Sequence, residues 1–86
     1  MLFAEHRIWR RLDDGRLVLY RCLERFGHGL YAVQSADAFG PAAGREAVAA
    51  SDARFVELMR DESPLVRSDW HRSLQAAIDA HDRDFD

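Results

Sequence analysis

The chain has 86 residues, 48% of them hydrophobic and 31% charged, with twelve arginines, no lysine, fifteen acids and a net charge of −3. That length predicts one α+β domain over residues 1–86 that buries about 60 to 65% of its unfolded surface. The composition excludes a disordered chain, and the lack of any run of 18 apolar residues excludes a helical membrane span.

Charge is unevenly divided. Residues 1–45 carry seven arginines and five acids, whereas residues 46–86 carry five arginines and ten acids. A basic sheet followed by an acidic helical layer is the expected arrangement. The N-terminal run Met1-Leu2-Phe3-Ala4-Glu5-His6-Arg7 lacks the basic-then-apolar layout of a signal peptide. Cys22, the one cysteine, has no internal disulfide partner, so a reducing cytoplasm is expected. The exclusive use of arginine fits codon bias in a GC-rich bacterial genome as readily as selection for forked contacts.

Residues 1–39 read as an antiparallel meander of three strands. Phe3 to Leu12 is rich in β-formers, and Asp13-Asp14-Gly15 is a hairpin signal because glycine supplies the positive φ that a bulged turn needs. Arg16 to Phe26 is the second strand, and Gly27-His28-Gly29 leads to a third from Leu30 to about Phe39. A three-residue loop at 13–15 sets Leu12 opposite Arg16 and makes paired residue numbers sum to 28. One face then holds His6, Ile8, Leu12, Val18, Tyr20 and Cys22. The other holds Phe3, Trp9, Leu17, Leu19 and Leu23 among Glu5, Arg7, Arg11, Arg21 and Arg25. A two-residue turn would remix these sets.

Gly40-Pro41-Ala42-Ala43-Gly44 breaks away from the sheet, and residues 45–84 are helical. Residues 45–60 form one helix, or a turn followed by a helix, with Phe55, Val56, Leu58 and Met59 as a buried stripe. Ser63-Pro64 ends it. The last helix has three candidate caps, Ser63, Ser68 and Ser73. Its stripe is Val66, Trp70, Leu74, Ala77, Ile78, His81 and Phe85. The result is a β-β-β-α-α order with two helices packed on one face of the sheet.

The chemical motifs are sparse. Zinc sites need ligands at close local spacing, and His6, His28, His71 and His81 are scattered, so no metal and no cofactor is expected. His6 opposite Cys22 is the one pairing that resembles an activated thiol, giving a small Cys/His enzyme as a distant alternative. Arg7, Trp9, Arg11, Arg21 and Arg25 on one sheet face have the composition of a protein-interface hot spot. Aromatics among arginines also describe single-strand nucleic-acid binders, but the sequence pI of about 5.7 disfavours that partner. Asp79, Asp82, Asp84 and Asp86 crowd the end of the last helix, where the macrodipole favours cations. Asp79, Asp82 and Asp84 are expected to form a secondary acidic site, aimed at a basic partner or bracing the sheet arginines. The sequence therefore points to a non-catalytic, cytoplasmic protein-binding domain, including a homodimer formed through its sheet. Size and charge suggest an analogy with immunity proteins, antitoxins and adaptors.

Overall fold

Two glycine-bearing turns fold the first half of the chain into β1 (Phe3–Arg11), β2 (Leu17–Arg25) and β3 (Leu30–Phe39). They form one antiparallel sheet in the order β1-β2-β3. The computed structural model describes residues 1–85, apart from the side chain of Phe85. In the first turn the Leu12 N–H donates to Arg16 O at 2.9 Å and the Gly15 N–H to Leu12 O at 3.1 Å. Gly15 sits at φ +88°, where a side chain would be strained. Asp14 closes the turn by accepting from the Arg16 backbone N–H at 3.0 Å and from its Nε at 2.7 Å. Above all the backbone bond holds its carboxyl below the ordinary value. The three-residue loop yields the expected register: Phe3 pairs with Arg25, His6 with Cys22 and Arg11 with Leu17.

Between β2 and β3 the ladder slips by one residue. Arg21 pairs with Ser35 and Cys22 with Val33, so Gln34 is the extra residue of a β-bulge. Its carbonyl accepts from Arg67 Nη2 at 3.3 Å and its Oε1 from Ser68 Oγ at 2.9 Å.

The helical half contains α1 (Arg45–Asp61), the single-turn α2 (Pro64–Arg67) and α3 (Leu74–Phe85). Each of the three serines has a use. Ser63 Oγ accepts from the Leu65 N–H at 3.3 Å ahead of Pro64, Ser68 ends α2, and Ser73 Oγ accepts from the Ala76 N–H at 3.0 Å to start α3. Val66 and Trp70 therefore lie before α3, and Val66 is 78% exposed. Of the expected α1 stripe, Phe55 is buried while Val56 faces solvent.

The α+β class and the strand-then-helix order are as expected. Within that architecture the helices divide between the two faces of the sheet instead of sharing one. Tyr20 and Cys22 pack against Ile78 of α3, whereas Arg21, pointing the opposite way, reaches Ser51 and Phe55 of α1. The reason lies in β2, where Leu19, Tyr20, Arg21, Cys22 and Leu23 are consecutively buried. A strand buried on both faces needs cover on both. Between α1 and α3 the chain passes around the β3 edge, where Tyr31 and His71 exchange two backbone hydrogen bonds of 2.7 Å.

Candidate partner-binding surface

The five strand residues expected on one working face separate into three environments. Arg7, Trp9 and Arg11 remain at the surface of β1. Trp9 is 45% exposed and its ring leans on Phe39, with centroids 5.9 Å apart. Arg7 makes a long, exposed ion pair with Asp52 at 3.4 Å, of the kind that adds little stability.

Arg21 is the correction. It is 1% exposed and belongs to the interior beneath α1, not to a surface. Its Nε and Nη2 donate to Ser51 Oγ at 3.1 and 3.0 Å, and Nη2 also donates to Asp52. Ser51 in turn donates its hydroxyl to Asp37. Glu5 stands 3.7 Å from Nη1, and the guanidinium lies 5.6 Å from the Phe55 ring centroid. A buried cation requires such partners. Sequence reasoning missed Ser51, Asp37 and Asp52 as a set, because their only common feature is a position beside Arg21 in space.

Arg25 occupies a third setting. Its guanidinium lies 6.0 Å from the ring of Trp70, which stacks on Phe3 with centroids 6.1 Å apart and planes 14° from parallel. Among the described residues, Arg25 Nε and Trp70 Nε1 are buried there without hydrogen-bond partners.

The acidic residues do not converge. Asp82 accepts from Tyr20 Oη at 2.9 Å and pairs with Arg10 Nη2 at 3.1 Å, so it braces a sheet arginine. Asp79 accepts from Gln75 at 2.8 Å, and Asp84 is exposed. Asp86 lies outside the described residues. Cys22 and His6 are opposed as expected, yet the thiol is fully buried and burial pushes its pKa up to about 11. His6 Nε2 meets Glu24 Oε1 at 2.8 Å instead. A thiol so placed stays protonated at neutral pH, whereas nucleophilic attack needs the thiolate. Among the described residues no three His, Cys, Asp or Glu side chains are grouped so as to hold a metal ion. Among them, too, no helix is long and apolar enough to cross a membrane.

The backbone of β1 completes the surface. Phe26 N–H donates to Leu2 O and Leu12 N–H to Arg16 O at the two ends of the β1–β2 ladder. In an antiparallel ladder bonded and non-bonded pairs alternate, so the even-numbered residues of β1 bond to β2. Phe3, Glu5, Arg7, Trp9 and Arg11 then turn their N–H and C=O groups outward. Both long helices lean toward β3, and among the described residues no strand pairs with the outer edge of β1. At the other edge a polar hollow of about 630 Å³ lies between β3 and α3. Its Arg67 and Arg83 are balanced by Asp69 and Asp84, so it favours neither sign of ligand charge.

Comparison with known protein families, with curated proteins and with solved structures gave no match for this chain.

Proposed function

We propose that the chain is a non-catalytic protein-binding domain that takes its partner along β1, with Trp9 as anchor and Arg7 and Arg11 beside it. One observation carries the reading: a nine-residue strand with a free edge presents a half-exposed tryptophan between two exposed arginines. Backbone groups on such an edge supply affinity, and neighbouring side chains supply selectivity. Tryptophan and arginine are the residue types that dominate interface energetics. The net charge of −3 weighs against nucleic acid as the partner. An adaptor or immunity-type role in the cytoplasm is consistent with this chemistry.

Trp9→Ala is expected to keep a cooperative melt while weakening partner capture about thirty-fold, the equivalent of about 2 kcal/mol. Asp79→Arg on α3 should leave capture unchanged. Quantitative pull-down of the two variants beside the parent chain makes the comparison. Equal loss in both would sink the assignment, and salt-dependent binding of a single-stranded oligonucleotide would transfer the surface to nucleic acid.

A further inference from the structure

The chemistry of the β1 edge identifies its partner. We propose that it is a second copy of this chain, paired antiparallel about a twofold axis through His6, joining two three-stranded sheets into one of six. This rests on the reading of β1 as the binding edge and names the occupant.

Symmetry narrows the choices. A twofold axis perpendicular to the sheet keeps each face on its own side, so odd residues meet odd and even meet even. Paired numbers then sum to an even value. A sum of 10 sets Glu5 against Glu5 and a sum of 14 sets Arg7 against Arg7, and like charges directly opposite destabilise a sheet. A sum of 16 brings Glu5 to Arg11 but runs Phe3 into Asp13 and sets Met1 and Leu2 against the turn beyond Arg11. A sum of 12 sets Glu5 opposite Arg7 of the second copy twice over, Phe3 opposite Trp9, and Ala4 opposite Ile8. It also lays the exposed Met1 and Leu2, 70% and 69% open, along the stems of Arg11 and Arg10. That register satisfies charge and apolar surface together.

The edge is built to accept it. Outward N–H and C=O groups alternate along β1 in step with the odd residues, and the β1–β2 register runs without a bulge from Phe3 to Arg11. No proline interrupts the strand. Bulges and prolines are common guards of unpaired edges, so here charge is the remaining guard, and the second copy neutralises it. Glu5 and Arg7 are available for this role, because their contacts to Arg21 and Asp52 are long, at 3.7 and 3.4 Å, and their side chains are substantially exposed.

One strand pair is a small interface, so association at the micromolar level is expected. Sedimentation of the parent chain across roughly 1 to 100 μM should show a monomer–dimer equilibrium. Glu5→Arg alone and Arg7→Glu alone should each weaken it at least tenfold. The two together should restore it, because opposite charges again face each other. In a Cys22→Ala background, His6→Cys should cross-link to a dimer under mild oxidation. Even-numbered pairs across the axis are non-hydrogen-bonded, with Cα atoms about 4.5 Å apart, inside disulfide range. Cross-linking through Ile8→Cys or Arg7→Cys instead would overturn the register. A parent chain that stays monomeric throughout, or a double charge swap that stays broken, would overturn the pairing. A monomer whose capture of another protein still depends on Trp9 would leave the binding edge standing and remove only the second copy. Loss of neither property in Trp9→Ala would remove the edge itself.

Discussion

The two faces of β2 are buried by different chemistry. Under α3, Tyr20, Cys22 and Ile78 pack with Ile8, Val18, Val33 and Leu74, and the tyrosine hydroxyl reaches out to Asp82 at the rim. Under α1 a guanidinium occupies the place of an aliphatic side chain, held by a serine hydroxyl and by carboxylates of β1, β3 and α1. Apolar packing tolerates small shifts of a helix. A forked cation does not, because each donor has a direction and an unmet one is costly in a low-dielectric setting. The α3 face thus gains stability through area, while the α1 face, which also buries Leu19, Leu23 and Phe55, adds directed contacts that fix where its helix sits.

Arg21→Ala tests that contrast most severely. Removing the cation leaves a cavity and takes from Ser51 Oγ and Asp52 their donors beneath α1, so a loss of about 3 to 5 kcal/mol in urea unfolding is expected. Arg21→Met combined with Ser51→Ala should regain much of it, since an apolar replacement for a whole buried polar set is often neutral. A loss from Arg21→Ala of less than about 1 kcal/mol would place the guanidinium in water.

On the other face, Ile78→Ala should cost about 2 to 4 kcal/mol through lost contact and cavity. It should leave the Arg21–Ser51 contacts unperturbed, read by amide shifts in NMR. Chemical-shift changes spreading to Ser51 would show that the faces are coupled through β2.

The mildest effect belongs to pH. Cys22 has a folded pKa raised by burial from 9.0 to about 11. The unfolded chain ionises first, so stability is retained below pH 9 and falls as pH rises toward 11, by about 2 to 3 kcal/mol. Cys22→Ala should flatten that alkaline limb, and an unchanged limb would mean the thiol ionises freely in the fold.

Much of this was readable from local chemistry. Asp13-Asp14-Gly15 marked the turn but left two loop lengths open; the three-residue loop, favoured because it segregates charge, dictates the observed β1–β2 pairing and the content of each face. The near-continuous run from Leu17 to Leu23 also carried the signal that β2 is buried on both sides. Arg21 in its middle masked it, because an arginine on a strand ordinarily points to solvent. Only the approach of Ser51 and Asp52, about thirty residues away along the chain, makes its burial tolerable. The start of α3 was obscured by three equivalent serine caps. Val66 and Trp70 matched the helical period by coincidence, with α2 and an extended segment beneath it. Of the candidate surface, Trp9 and its flanking arginines were visible in sequence. The uncovered state of β1 was not, because it follows from which edge the helices lean toward.

The strap at His71 bears on assembly size. Strand-to-strand association propagates without limit when both borders of a sheet can accept a neighbour, the geometry that leads from pairing to fibres. Here one border is interrupted by the Tyr31–His71 bridge and by the Arg67 and Ser68 contacts to Gln34. The bulge at Gln34 adds local twist against flat stacking. A chain with one receptive border would terminate growth after a single event, so the pairing proposed for β1 closes as a point group and does not extend as a filament.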